Sequence, residues 1–191
     1  KRTPMGGFQG ALSAVTATEL GGNAIAASLN SAGIAADQID EVYMGCVLPA
    51  GLKQAPARQA ALAAQVPESV PCTTLNKVCG SGMKAVMTAA SQIKAGEISA
   101  AVAGGMESMS NAPYLMDKAR SGYRMGHQSV YDHMFLDGLE DAYDGNAMGV
   151  HAQRTATERE ISREQMDEYA LESLRRANEA IAQGHFVNEI S

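Results

Sequence analysis

The sequence predicts an α/β fold with a central, mainly parallel sheet carrying helices on both faces, and three observations predict it. Apolar or β-branched runs at 41–48, 72–78 and 100–104 alternate with helix-like stretches at 18–32, 57–65 and 82–95, the order of repeated strand–helix–strand units. The run Ala100-Ala101-Val102-Ala103-Gly104 is apolar without alternation, as a strand covered on both faces must be, and this places it in the centre of the sheet. Over 191 residues, 46% are hydrophobic and only 19% charged, which is ample for a packed core without disulfides.

Each element has its own local reason. Thr18–Ala32 carries small apolar residues at helical spacing and stops at Gly33, a natural C-terminal cap. Glu41–Cys46, continued by Val47 and Leu48, reads as a short strand. Gly51–Pro56 breaks the chain, and Ala57–Gln65 is rich in helix formers up to Pro67. Cys72–Val78 is a second strand running into Cys79. From Gly82 to Ala95, the residues Met83, Val86, Met87, Ala90 and Ile93 mark one buried helical face, closed by Gly96. This helix is expected to lie buried against the sheet, with Ala85, Ala89 and Ala90 letting the backbones approach.

The C-terminal part reads differently. Ser108–Gly145 is rich in Met, Tyr, Asp and Gly, lacks periodicity and is too long for an ordinary connection, so a functional or intersubunit loop is expected there. Ser162 with Gln165 forms a capping box. The residues Met166, Ala170, Leu174, Ala177 and Ile181 form a stripe behind it, Glu172 is placed to pair with Arg176, and Gly184 ends the helix. Phe186–Ile190 alternates like the start of a strand.

Composition excludes several functions. With 15 Lys and Arg against 21 Asp and Glu, a net charge of −6 and no basic run, a nucleic-acid partner is not expected. No apolar stretch approaches the roughly 20 residues of a membrane span, and Lys1-Arg2-Thr3-Pro4 does not open a signal peptide, so a soluble cytoplasmic protein is expected. Cys46, Cys72 and Cys79 fit neither a disulfide framework nor a zinc knuckle. His127, His133, His151 and His185 include no pair at metal-binding spacing, so no metal is expected.

The chemistry concentrates in the run NKVCGSGMKAV, Asn76–Val86. Cys79 stands where a predicted strand gives way to a predicted helix, flanked by glycines that allow another backbone or a ligand to come close. Free amides and the helix dipole at such an end favour thiolate over thiol, and the same amides would stabilise an oxyanion on an acyl group attached to the sulfur. A small buried cysteine closing a tight junction would show the same pattern, and spacing alone leaves the two readings level. A nucleophile elbow around Ser81 fails because its two glycine positions hold Cys79 and Met83. A phosphate loop fails because no G-x-x-x-x-G-K-[ST] run is present. In Gly104-Gly105-Met106-Glu107-Ser108, close packing and loop-tethering hydrogen bonds are the expected roles.

Four separated runs carry a resemblance: RTPMG at Arg2–Gly6, QAPARQA at Gln54–Ala60 with YMGCVLPAG ahead of it, NKVCGSGMKAV, and GGMESMSNAPY at Gly104–Tyr114. Together they resemble the thiolase family, and within it the enzymes that make or cleave short 3-ketoacyl-CoA such as acetoacetyl-CoA. The resemblance implies a thiolase-like fold with an irregular loop domain. It also implies a nucleophilic Cys79 that holds an acyl group as a thioester, and Leu139 and Met148 beside the pantetheine and acyl part of the substrate. Coenzyme A thioesters are the implied substrates, with no bound prosthetic group, no metal, and a homodimer or homotetramer as the assembly. Ala147 departs from the His of short-chain members, which opens the expectation to longer or branched acyl chains. Two other readings keep part of this picture: a non-catalytic acyl-CoA-binding subunit, and a ketoacyl-synthase type of condensing enzyme, which the GGMESMSNAPY run disfavours.

Family members run to about twice this length, and their activating histidine and second cysteine lie in the C-terminal half. The expected organisation is therefore an N-terminal α/β domain over 1–110 without its first strand, the beginning of a loop domain over 111–191, and a C-terminal domain outside this chain.

Overall fold

The computed structural model describes all residues, Lys1–Ser191. They form two compact units, 1–138 with Ser191, and 139–190.

The first unit is built on three parallel strands, β1 (Glu41–Gly45), β2 (Cys72–Leu75) and β3 (Ala101–Gly105), in the spatial order β2-β1-β3. The register pairs Val42 with Cys72 and Gly45 with Leu75 on one side of β1, and Glu41 with Ala101 and Gly45 with Gly105 on the other. Helix α1 (Ala17–Ala32) precedes β1, α2 (Pro56–Ala63) links β1 to β2, and α3 (Ser81–Ala95) links β2 to β3. Moving from β1 to β2 and from β2 back across to β3 reverses the direction along the sheet. Right-handed crossovers then put α2 and α3 on opposite faces.

Burial along β1 shows both faces covered. Val42 and Met44, with Cys46 beyond the strand end, pack into a core made with Ile25, Leu29, Ala57, Ala60 and Ala61 from α1 and α2. Tyr43 points the other way onto Ala85 and Ala89 of α3, where its hydroxyl is hydrogen-bonded to Gln92. The strand predicted as central is therefore not the central one. β1 holds that place, and Ala101–Ala103 are only half-buried at the open edge of β3. The misplacement has a physical cause: small side chains make β3 apolar throughout, whereas β1 hides its double burial behind Tyr43 and Glu41.

Helix α3 meets the sheet through Ala85 and Ala89 as expected, but the stripe of larger residues is corrected. Its sheet face is made by Ala85 and Ala89, while Met83, Val86 and Met87 are 72, 53 and 55% exposed. The larger residues formed the more conspicuous stripe, but close approach to the sheet selects the small ones. Helix ends follow the caps. Thr16 and Glu19 form a capping box before α1: Thr16 N donates to Glu19 Oε2 at 2.8 Å, and Glu19 N to Thr16 Oγ1 at 3.3 Å. Gly33 and Gly96 terminate α1 and α3 in the left-handed conformation. Strand β2 stops at Leu75, three residues before the predicted end, because residues 76–80 are turned. The aperiodic segment holds a two-residue antiparallel pair, β4 (Tyr114–Leu115) with β5 (Tyr131–Asp132), and a π-helical turn at Phe135–Leu139.

The second unit contains α4 (Met148–Glu158), for which no element was expected, and α5 (Arg163–Ala182). Ser162 and Gln165 form the expected capping box, and Glu172 receives Arg176 at 2.6 Å as expected, together with Arg175 at 2.7 Å. The stripe on α5 is not buried in this chain, with Leu174 and Ile181 exposed. Residues 186–190 form turns and a single bridge position in place of a strand.

Candidate active site

The carboxyl ends of β1, β2 and β3 lie at one edge of the sheet, at Gly45, Leu75 and Gly105. Loops leaving that edge of a parallel sheet are the usual place for chemistry. The loop from β2 to α3 carries Cys79, which is exposed. That exposure removes the reading of a buried junction cysteine.

The loop is a built turn. Asn76 Oδ1 accepts from Val78 N at 2.8 Å, and Asn76 Nδ2 reaches the Val47 carbonyl at 3.5 Å. Gly80 N donates to Lys77 O, and Ser81 N to Val78 O, both at 3.0 Å. Val78 has φ +47°, a left-handed conformation that a β-branched residue adopts only under constraint. Helix α3 starts immediately after: its first helical hydrogen bond runs from Lys84 N to Gly80 O, so the amides of Gly82 and Met83 belong to the first turn, where donors lack intrahelical partners. Those donors and the positive end of the helix dipole face the neighbourhood of Cys79.

The other two cysteines sit in unreactive places. Cys46 is 2% exposed, and burial, reinforced by Glu107, pushes its thiol up to about 12. Cys72 is half-buried in β2, and burial raises its thiol as well.

Two side-chain clusters brace the edge. The carboxylate of Glu107 accepts from Val47 N at 2.8 Å and from Leu48 N at 3.0 Å, with Cys46 Sγ at 3.6 Å. This is the loop-tethering role expected for the residue. Its function of closing the end of β1 is clear only in three dimensions. The second cluster was missed. His133 is 5% exposed, its Nδ1 lies 2.6 Å from Asp137 Oδ2, and its Nε2 accepts from Ala50 N at 3.4 Å. The spacing of four residues was the available signal. The ring ties the 132–137 segment to the loop after β1, and with both nitrogens engaged it acts as a brace.

Leu139 and Met148 belong to the second unit. An isolated antiparallel bridge pairs Glu140 with Ala147, so that Leu139, at the end of the π-helical turn, and Met148, at the start of α4, are the chain neighbours of a bridged pair. Asp141 and Asp144 of the bridged loop and His151 of α4 offer ligand atoms within 4.8 Å of one another. Asp141 Oδ2 already accepts from Tyr143 N and Asp144 N at 2.9 Å. Asp144 accepts from Asn146 N at 2.9 Å, the main cause of its carboxyl being held at about 2, and Arg154 lies 3.4 Å away. Backbone donors and the guanidinium thus serve the two carboxylates, while His151 Nε2 lies 3.5 Å from Asp144 Oδ1 and is buried without a hydrogen-bond partner.

A parallel α/β sheet that presents an exposed cysteine at the start of a helix, on its carboxyl edge, defines a protein with a candidate thiol nucleophile. Residues 1–191 match the family model described as "Thiolase, N-terminal domain", and the chain belongs to the thiolase family. It is 53% identical over 189 residues to "Acetyl-CoA acetyltransferase 2" of Arabidopsis thaliana, covering 99% of this chain and 47% of that protein. It is 51% identical over 190 residues to "Acetyl-CoA acetyltransferase" of Escherichia coli (strain K12), covering 99% and 48%, and 48% identical over 191 residues to the protein of that name from Saccharomyces cerevisiae, with 99% and 48% covered. The chain spans about half the length of these relatives. No helix of the structure is long and apolar enough to cross a membrane.

Proposed function

We propose that the full protein is an acetyl-CoA C-acetyltransferase of the thiolase type, forming or thiolytically cleaving short 3-ketoacyl-CoA. The observation that carries this reading is Cys79, exposed at the N-terminus of α3 in a turn that fixes its backbone. The names of the relatives support the reaction class.

In the proposed reaction the Cys79 thiolate adds to the carbonyl carbon of an acyl-CoA. The resulting oxyanion is stabilised by amide donors at the start of α3, among them the Cys79 N–H. Collapse breaks the bond to coenzyme A sulfur, which leaves as thiolate and takes up a proton, and the acyl group remains on Cys79. For condensation, a base removes a proton from the α-carbon of a second acyl-CoA. The carbanion attacks the acyl carbonyl, a carbon–carbon bond forms, and the Cys79 thiolate is released. Thiolysis is the reverse. The base and the group that activates Cys79 are expected in the rest of the protein.

The reaction needs no prosthetic group or metal; coenzyme A thioesters are the substrates. Leu139 and Met148, which flank the Glu140–Ala147 bridge, are proposed to contact pantetheine and acyl chain from an irregular loop domain. Ala147 in place of a histidine widens the proposed acyl range. A cytoplasmic homodimer or homotetramer is the proposed assembly, and light scattering of the full-length protein at micromolar concentration tests it, a monomer counting against it. Function is tested by following thiolysis of acetoacetyl-CoA and of longer 3-ketoacyl-CoA. Turnover lost in Cys79→Ser supports the reading, and binding of acyl-CoA without turnover identifies a non-catalytic subunit instead.

A further inference from the structure

We infer that Ser81 is a positioning residue for Cys79: its hydroxyl clamps Val78 in the left-handed conformation that presents the thiol at the start of α3. The inference rests on the reading of Cys79 as nucleophile and deepens it.

Ser81 is 5% exposed although it stands at the first position of α3, beside an exposed cysteine. Its Oγ accepts from Lys77 N at 2.8 Å and donates to Val78 O at 2.6 Å, closing the turn from both sides. The Val78 carbonyl also accepts from Ser81 N at 3.0 Å. Val78 N is held independently by Asn76 Oδ1 at 2.8 Å. Both polar groups of the strained peptide are thus pinned by side chains, one on each flank.

Such pinning is needed because Val78 stores strain. A β-branched residue at φ +47° is disfavoured, and an exposed turn without clamps relaxes toward the extended or right-handed region. Rotation at residue 78 swings residue 79, so the thiol would leave the first-turn amides that make it useful. Ser81 itself cannot drift, because Gly45 lies beneath it. A Cβ added to Gly45 would come within 2.6 Å of the Ser81 Cβ. The clamp is therefore anchored in the sheet, and it transmits the position of β1 to the nucleophile.

The experiment measures the pH–rate profile of Cys79 alkylation by iodoacetamide in the full-length protein, by peptide mass mapping, with circular dichroism checking that each variant is folded. In Ser81→Ala the rate of Cys79 alkylation at pH 7 is expected to fall about tenfold, the effect of losing one well-placed hydrogen bond. Adding Val78→Gly, which removes the penalty on the left-handed conformation, is expected to return most of the rate. Asn76 is exposed, so Asn76→Ala tests the other flank without disturbing the core, and the same loss of rate at smaller size is expected. If Ser81→Ala does not fold, Asn76→Ala with and without Val78→Gly gives the same comparison. Unchanged profiles in folded variants, or a loss that Val78→Gly does not restore, overturn the positioning role. Parent protein that alkylates first at Cys46 or Cys72 overturns the nucleophile reading itself, and is told apart because it needs no variant.

Discussion

Gly45 and Ser81 meet backbone to backbone: a Cβ on Gly45 would lie 2.6 Å from both the carbonyl carbon and the Cβ of Ser81. The contact joins the end of β1 to the first residue of α3, so one strand terminus sets the height of the helix that carries the candidate nucleophile. No side chain larger than hydrogen fits there unless the helix moves.

Gly45→Ala is accordingly expected to lift the start of α3 and to cost about 1–3 kcal/mol by overpacking. Urea unfolding measures the loss, and slower alkylation of Cys79 should accompany it. Parental stability in this variant would mean that the helix is not seated on the strand as described.

Glu107→Gln keeps the shape of the side chain but leaves one amide donor facing the Val47 and Leu48 N–H groups in place of a second acceptor. A loss of about 1–3 kcal/mol is expected, typical of a half-buried donor left without its partner. The midpoint of thermal unfolding reads it. Cys79, on another loop, should keep its place in the order of alkylation.

Stability should fall in alkali. The Cys46 thiol is raised by burial from 9.0 to about 12, and the Tyr43 hydroxyl by burial and the nearby Glu41 from 10.0 to about 12. Between those values the folded state holds protons that the unfolded chain has released, so stability is intact below about pH 9 and declines as pH rises from there toward 12. Urea midpoints measured from pH 7 to 11 give the slope. Tyr43→Phe and Cys46→Ala should each flatten it, and a flat parental profile would contradict the burial of both groups.

Much of this was legible in the sequence, and the misses share a cause. Strand and helix order, the Ser162 capping box, the Glu172–Arg176 pair and the position of Cys79 between strand and helix are local features, written in neighbouring residues. Which strand is central, and which face of α3 meets the sheet, depend on how small residues pack at a distance. The close approach through Ala85 and Ala89 is readable from their size and holds, whereas the exposure of Met83 and Met87 on the other side of the helix is not written in their spacing. In the site, the thiol was found because glycines and helix formers surround it. The sequence around Ser81 fits no nucleophile motif and signals no other role for the residue. Its hydroxyl serves the backbone at positions 77 and 78, and no spacing rule encodes a clamp on a left-handed valine.

The most direct measurement is the site of acylation. Full-length protein is incubated with acetyl-CoA, quenched in acid, and digested, and the acetylated peptide is located by mass. The predicted result is an acetyl group on Cys79, absent from Cys79→Ser, because a serine at this place lacks a base strong enough to generate its alkoxide at neutral pH. Acetylation at Cys46, Cys72 or any other residue, or acetylation that persists in Cys79→Ser, would contradict the assignment of Cys79 as nucleophile.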